Sequence, residues 1–189
     1  MTLRWLPNAL CVLRMLLAVP TAWFLTHGQY EITFVVFLIA AITDGLDGFI
    51  AKRFNWTSEL GKVLDPMADK LLLVTVFITL AIIGKVALWL VVLVVVRDVI
   101  IAVGAAIYRR MSGSLSGAAP TLISKLNTVV QISYVLAAIS STVTSWPSAV
   151  MVELLGYVTA LTTVISGVDY IVTYSKRAAN LHRAASPNS

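Results

Sequence analysis

The most regular feature of the sequence is a series of long apolar stretches separated by short polar segments. Three of these segments, at 27–30, 84–85 and 145–148, are only a few residues long and are rich in glycine, proline, serine and charge. A helix needs about 20 apolar residues to cross a bilayer. The pattern therefore predicts an all-α, polytopic membrane protein with six transmembrane helices, at 6–26, 31–53, 61–83, 86–108, 124–143 and 149–174.

Composition supports this fold class. The 189 residues are 59% hydrophobic and only 12% charged, whereas a soluble domain carries about 25% charged residues. A chain of this size has too much surface for such a composition to suit a soluble protein. The single cysteine, Cys11, excludes an intrachain disulfide. We expect one catalytic membrane domain at 1–175 and a basic, polar cytoplasmic tail at 176–189.

The basic residues predict the orientation of the chain in the membrane. With the amino terminus in the cytoplasm, only Lys85 among the basic residues that flank the helices faces outward. The positive-inside rule then places both termini in the cytoplasm. The net charge of +5 forms no stripe along the chain, so we expect no nucleic-acid binding. The short chain without a transit peptide leads us to expect a bacterial inner membrane. The residues expected at the inner face are Arg4, Lys52, Arg53, Lys62, Arg109, Arg110, Lys176, Arg177 and Arg183.

Four aspartates lie within the second and third predicted helices. Asp44 and Asp47 are three positions apart, and Asp65 and Asp69 are four apart, so each pair shares one helix face. The two helices run antiparallel, which brings both pairs to a similar depth near the inner face. Because ionised carboxylates within a membrane are costly, such a cluster indicates a functional site.

A divalent cation is the most plausible neutraliser of this cluster. Lys70 follows Asp69 directly and points about 100° away from it along a helix. Oxygen ligands favour Mg²⁺, Mn²⁺ or Ca²⁺, and the two histidines and one cysteine offer no zinc site. Small residues lie next to the aspartates on both helices. Close helix packing explains Gly48. Space for a phosphorylated ligand explains why all of these small residues lie beside the aspartates.

The residues around the four aspartates resemble the signature of a known family. Residues 44–52, followed after eight residues by 61–69, resemble the CDP-alcohol phosphotransferase signature DxxDGxxAR(x8–9)GxxxDxxxD. The departure is Lys52, which stands where the family has arginine and lacks the planar guanidinium fork. Pro7, Asn8 and Arg14 resemble the start of the first helix in this family. Residues 97–98 and 120–128 look most like the cardiolipin synthases of the superfamily, whose close relatives are the phosphatidylglycerophosphate synthases.

The resemblance implies specific roles for the motif residues. Asp44, Asp47 and Asp65 would bind one or two Mg²⁺ or Mn²⁺ ions, and Asp69 would be both a further ligand and the general base. The implied reaction is attack by an alcohol on the phosphate that bears diacylglycerol in CDP-diacylglycerol, with release of CMP. We expect membrane lipids and a second copy of the chain, in a homodimer, as partners. The residues implied at the nucleotide site are Asn8, Gly48, Ala51, Lys52 and Gly61.

The acceptor alcohol is predicted less directly. We expect Arg97 and Lys125 to bind an acceptor that carries phosphate, with phosphatidylglycerol favoured over glycerol 3-phosphate. Arg97 and Asp98 could instead form structural ion pairs, each with a separate partner because adjacent residues face different ways on a helix. Lys125 could instead anchor lipid headgroups. Two other classes of function remain open, namely a divalent-cation transporter and a membrane scaffold without catalysis.

Overall fold

The computed structural model describes the backbone of residues 6–54, 61–112 and 121–185, and the side chains of 12–43, 70–108, 110 and 121–176. Every regular element in these ranges is an α-helix, which confirms the all-α prediction. The predicted helix ends are correct to within about one turn, except that the last helix passes the predicted boundary at residues 175–176. The helices are α1 (Leu6–Thr26), α2 (Tyr30–Phe54), α3 (Gly61–Ile82), α4 (Leu88–Ser112), α5 (Leu122–Thr144) and α6 (Ala149–Ala185).

Two glycines end helices where the sequence predicts turns. Gly28 after α1 and Gly84 after α3 have φ values of 73° and 71°, a conformation that glycine adopts without the penalty of a Cβ atom. In both turns the next residue donates its backbone N–H back to the helix, from Gln29 to Phe24 at 2.9 Å and from Lys85 to Leu80 at 2.8 Å. These bonds satisfy carbonyl groups that a helix end would otherwise leave unpaired.

The helices have the composition of a membrane protein. By length and hydropathy, three of them contain candidate spans, at Leu88–Tyr108, Leu122–Thr144 and Ala149–Lys176. In α1, α2 and α3 the apolar stretches among the described residues are shorter. Large apolar side chains cover the outside, and Val19 and Leu161 are 74% and 61% exposed. Such exposure suits lipid rather than water, while the number of six spans remains a prediction.

Contacts divide the chain into two compact units. Unit 1 comprises Met1–Val91 and Ile132–Val152, and unit 2 comprises Val92–Gln131 and Glu153–Ser189. In unit 1, α1 packs against both α2 and α3. Leu25, Phe77 and Leu80 are fully buried there, and the rings of Phe77 and Tyr134 stack with centroids 6.0 Å apart. The part of the core that these residues form is therefore mainly apolar.

Unit 2 has a polar interior. On α5, Ser124, Asn127 and Gln131 are buried, and on α6 so are Thr159, Thr163 and Ser166. Asn127 Oδ1 accepts hydrogen bonds from Thr162 and Thr163, at 2.9 and 3.1 Å. Gln131 Nε2 donates to Thr163 Oγ1 at 3.4 Å. We call these buried residues of α5 and α6 the polar seam; it joins the two helices in antiparallel register.

Helices α4 and α6 run parallel and approach closely at Gly104. A Cβ atom at Gly104 would lie 2.8 Å from Cε1 of Tyr170, closer than a carbon contact allows. Tyr170 is buried and stacks on Tyr174 with centroids 4.0 Å apart, and Tyr174 meets Tyr108 edge-on at 5.4 Å. The tyrosine ring therefore has little room to move away from a larger residue on α4.

We predict that Gly104→Ala lowers the stability of the protein in detergent, because the new methyl group overlaps Tyr170. Overpacking of this kind costs about 1–3 kcal/mol, which exceeds the gain of about 1 kcal/mol from replacing a helical glycine by alanine. The measurement is the midpoint of thermal unfolding.

Gly167→Ala is the matched control, since it is also a helical glycine in unit 2. Its added Cβ would meet Arg97 Cγ at 3.6 Å, an ordinary contact. This variant should be as stable as the wild type or slightly more stable. Equal midpoints for the two variants would contradict the tight contact between Gly104 and Tyr170.

Candidate functional site

The two predicted carboxylate pairs lie on helices, near the ends that residues 55–60 connect. Asp44 and Asp47 belong to α2, and Asp65 and Asp69 belong to α3. The backbone is helical at all four positions, as the prediction that each pair shares one helix face requires. Both helices pack against α1 in unit 1. The two pairs are thus carried by elements with a common helical neighbour.

The side chains of the predicted metal and nucleotide sites lie outside the described side chains. For the four aspartates the structure gives the helix and the position along it. The same holds for the predicted nucleotide-binding residues, whose roles stay predictions. These residues are Asn8 on α1, Gly48, Ala51 and Lys52 on α2, and Gly61 on α3.

The metal assignment depends on the same residues. Among the described side chains there is no group of three or more histidine, cysteine, aspartate or glutamate residues that could bind a metal ion. The cation site predicted from the sequence uses residues 44–69, where four carboxylates occur on two helices. Oxygen donors of this kind fit a hard divalent cation such as Mg²⁺ or Mn²⁺.

Arg14 is a charged residue of unit 1 to which sequence analysis assigned no role at the site. It lies on α1 and is only 4% exposed. Arg14 and Asp69 each lie about eight residues from the start of their helices, which corresponds to about 12 Å of helix. A buried guanidinium requires anionic compensation. Arg14 has an interaction partner, and the motif carboxylates at a comparable level of the helices are our hypothesis for it.

Arg97, predicted at the acceptor site, lies in the interior of unit 2 and is 4% exposed. Its Nη1 donates to Asp98 Oδ1 at 2.7 Å, and its Nη2 donates to Ser124 Oγ at 2.7 Å and to Ser166 Oγ. Its Nε has no hydrogen-bond partner among the described residues. We expected Arg97 and Asp98 to have separate partners, and this was wrong, because the two side chains form an ion pair with each other. The long arginine side chain folds back to its neighbour and overrides the difference in helix direction.

Lys125, the second predicted acceptor residue, lies in the first turn of α5. Its side chain is exposed, in contrast to that of Ser124 immediately before it. A lysine at an exposed helix start can reach a ligand or a lipid headgroup, so both interpretations of Lys125 remain open. Arg97 and Lys125 both belong to unit 2.

The polar seam was missed in the sequence analysis, although its spacing is visible in the chain. Ser124, Asn127 and Gln131 recur at intervals of three and four within an otherwise apolar helix. The same spacing is typical of one helix face. Polar residues that repeat along one face of a membrane helix indicate contact with another polar helix face. On α6 the matching signal is Thr159, Thr163 and Ser166.

A separate cavity in unit 1 has different chemistry. It has a volume of about 400 Å³ and lies where the turn between α1 and α2 meets the end of α5. Glu31 is the acidic residue of its described lining, and the rest of that lining is polar or aliphatic apart from Tyr30. The cavity is at the opposite end of α2 from Asp44 and Asp47. It therefore does not belong to the predicted catalytic site.

Comparison with known proteins assigns the family. The sequence model of the CDP-alcohol phosphatidyltransferases matches residues 4–168, which include both carboxylate pairs, Arg97 and Lys125. The chain belongs to the CDP-alcohol phosphatidyltransferase family. The family resemblance predicted from the motif at 44–69 is thereby confirmed.

The relatives that match the chain carry different names. Human cardiolipin synthase (CMP-forming) is 32% identical over 181 residues, covering 87% of this chain and 60% of the human protein. A chloroplastic CDP-diacylglycerol–glycerol-3-phosphate 3-phosphatidyltransferase of Oryza sativa is 32% identical over 192 residues, covering 89% and 56%. A probable phosphatidylglycerophosphate synthase of Mycobacterium tuberculosis is 30% identical over 191 residues, covering 96% and 87%. The chain thus spans about 60% of the length of the human relative.

We predict that Arg14→Met lowers the thermal stability of the protein and its activity together. Arg14 is buried and has an interaction partner, and removing one member of a buried charged pair costs about 3–5 kcal/mol. Arg14→Lys retains the charge and should fall between the wild type and Arg14→Met. Thermal unfolding in detergent, with and without added Mg²⁺, is the measurement.

On the hypothesis that Arg14 and a divalent cation both neutralise the motif carboxylates, added Mg²⁺ should restore part of the stability of Arg14→Met. Val19→Met provides the control, since it introduces the same side chain at a position on α1 that is 74% exposed. Full stability of Arg14→Met without the ion would show that Arg14 does not compensate the motif.

Proposed function

We propose that this chain transfers the phosphatidyl group of CDP-diacylglycerol to a glycerol-type hydroxyl and releases CMP. The observation that carries the proposal is the match of 44–52 and 61–69 to the family signature, with both carboxylate pairs on helices. Family membership over 4–168 supports a transferase against a divalent-cation transporter or a scaffold. Carboxylates within a membrane, without the family signature, would be equally compatible with a transferase, a transporter and a scaffold.

We favour phosphatidylglycerol as the acceptor, which makes the reaction that of a cardiolipin synthase. Support comes from the resemblance of 120–128 to cardiolipin synthases and from the human relative of that name. Glycerol 3-phosphate is the second candidate, supported by the relatives from rice and Mycobacterium tuberculosis. Both acceptors carry a phosphate, so Arg97 and Lys125 would suit either one.

Asp44, Asp47, Asp65 and Asp69 would hold one or two Mg²⁺ or Mn²⁺ ions. When bound, the metal neutralises the pyrophosphate of CDP-diacylglycerol and stabilises the leaving CMP. Asn8 and Lys52 carry donors that suit the nucleotide and its phosphates. Gly48, Ala51 and Gly61 would let the nucleotide approach the backbone closely, because none has a large side chain.

The chain's own part in the chemical step falls to Asp69. Its carboxylate would accept the proton of the acceptor hydroxyl, acting as general base. The hydroxyl oxygen forms a bond to the phosphorus that bears diacylglycerol, and the bond from this phosphorus to the bridging oxygen of CMP breaks. CMP departs with that oxygen and with the electron pair of the broken bond. No covalent intermediate with the protein is required.

The proposal includes an arrangement in the membrane. We propose six spans, with both termini and the site facing the cytoplasm of a bacterial inner membrane, and a homodimeric assembly. The excess of lysine and arginine in the segments assigned to the inner face supports the orientation. Helix α6 continues to Ala185, about two and a half turns past the candidate span that ends at Lys176.

We predict that purified protein converts CDP-diacylglycerol and phosphatidylglycerol to cardiolipin and CMP. In a direct competition, glycerol 3-phosphate should be the poorer acceptor. Product lipids identified by mass spectrometry after incubation with each acceptor alone, and then with both, provide the measurement. A preference for glycerol 3-phosphate would replace cardiolipin synthase by phosphatidylglycerophosphate synthase. Failure to release CMP with either acceptor would reject the transferase proposal for this chain.

We predict that CMP release stops on treatment with EDTA and returns on addition of Mg²⁺ or Mn²⁺. A chelator selective for zinc should have little effect, because the motif offers carboxylates without histidine or cysteine. Asp65→Asn is the matched variant: it should insert and fold but lose nearly all turnover, since a metal ligand contributes several kcal/mol to transition-state stabilisation. Undiminished activity in metal-free protein, or in Asp65→Asn, would contradict the metal assignment.

A further inference from the structure

The guanidinium of Arg97 is held by groups from three helices of unit 2. Asp98 on α4 accepts from Nη1 at 2.7 Å, Ser124 on α5 accepts from Nη2 at 2.7 Å, and Ser166 on α6 also accepts from Nη2. Arg97, Ser124 and Ser166 are 4%, 8% and 0% exposed. Contacts in three directions fix both the position and the plane of the guanidinium.

One donor of this guanidinium is left over. Arg97 Nε is buried and has no hydrogen-bond partner among the described residues. A buried donor without a partner is costly, and more so when it belongs to a charged group. Proteins retain an unpaired donor of this kind where the donor has a function, for example in binding a ligand. The leftover donor would suit an anion.

The two serines differ from the other members of the polar seam. Asn127 and Gln131 on α5 contact threonines of α6, and these contacts already join the two helices. Ser124 and Ser166 instead direct their hydroxyl oxygens at the charge on α4. A purely structural tie between α5 and α6 does not require this arrangement.

The choice of hydroxyl groups also has an electrostatic consequence. A hydroxyl oxygen accepts a hydrogen bond without carrying a formal charge. Two further carboxylates at these positions would also fix Arg97, but they would repel an approaching phosphate. Two serines fix the guanidinium without adding negative charge beyond that of Asp98.

We propose that Ser124 and Ser166 are positioning residues that orient Arg97 so that its Nε is presented to the phosphate of the acceptor alcohol. The inference rests on the proposed function and extends it to residues on α5 and α6. The ligand chemistry is a phosphate on a glycerol-type alcohol, either the diester of phosphatidylglycerol or the monoester of glycerol 3-phosphate. Neither serine needs to touch the substrate.

The test measures KM for each substrate in Ser124→Ala and Ser166→Ala. Each variant should raise the KM of the acceptor about threefold to tenfold, and the double variant should raise it further, because a hydrogen bond to a charged group is lost. The KM of CDP-diacylglycerol should not change. Ser124→Thr keeps a hydroxyl group and should restore most of the acceptor affinity. The acceptor is whichever of the two alcohols the wild type uses.

Background variants separate positioning from packing. In an Arg97→Ala background, Ser166→Ala should cause no further rise in the acceptor KM, since there is no guanidinium left to orient. In a Lys125→Ala background its effect should persist in full. Thr159→Val is the control on the same helix: it removes a fully buried hydroxyl whose hydrogen bond within the described part of the chain goes to the Leu155 carbonyl, at 2.7 Å. Its acceptor KM should match that of the wild type.

Several outcomes would overturn the inference while leaving the proposed function intact. One is an unchanged acceptor KM in both serine variants of an active enzyme. Another is an equal rise in the KM of both substrates, and a third is a further loss in the Arg97→Ala background. If Ser166→Ala fails to fold, the comparison of Ser124→Ala with Ser124→Thr decides the matter alone. A wild type that releases no CMP with either acceptor rejects the proposed function itself.

Discussion

Compensation of buried charge is the constraint on which the structure depends. A guanidinium buried between apolar helices in a membrane protein is unfavourable unless anions or hydrogen-bond acceptors surround it. Among the side chains that the structure describes there are two such groups, Arg14 in unit 1 and Arg97 in unit 2, each 4% exposed. In unit 2 the compensating groups are Asp98 and two serines from other helices. The polar residues of this unit therefore help to fix how its three helices meet, together with the close approach of α4 and α6 at Gly104.

The helices themselves could be predicted almost completely from the sequence. Apolar stretches of membrane length set their extents, and glycines such as Gly28 and Gly84 mark the turns where a positive φ is needed. The end of α6 was the exception, because a basic and polar segment no longer carries the apolar signal that defined the other helices. Helical structure there continues to Ala185 without it. Hydropathy thus predicts where a helix can cross a membrane but not where the helix stops.

The candidate site was predictable to a smaller extent. The motif at 44–69 specifies residue types and spacing, so its helices and the family followed from local sequence. The partners of Arg97 did not, because Ser124 and Ser166 are 27 and 69 residues away in the chain. Their approach depends on the register between three helices and on the side-chain conformation of Arg97. The same holds for its bond with Asp98, which simple helix geometry disfavours.

The division between the motif and the proposed acceptor residues bears on substrate choice. Asp44, Asp47, Asp65 and Asp69 belong to unit 1, whereas Arg97, Lys125 and the two serines belong to unit 2. Relatives named for different reactions match this chain at similar identity, 32% for human cardiolipin synthase and 30% for the mycobacterial relative. Overall identity therefore does not separate the two acceptors. A shared nucleotide chemistry requires the motif to stay constant, while a change of acceptor needs altered contacts only around its phosphate and alcohol. Because an arginine can bind either phosphate, the proposed role of Arg97 would make the groups that orient it the place where selectivity can change without loss of the reaction.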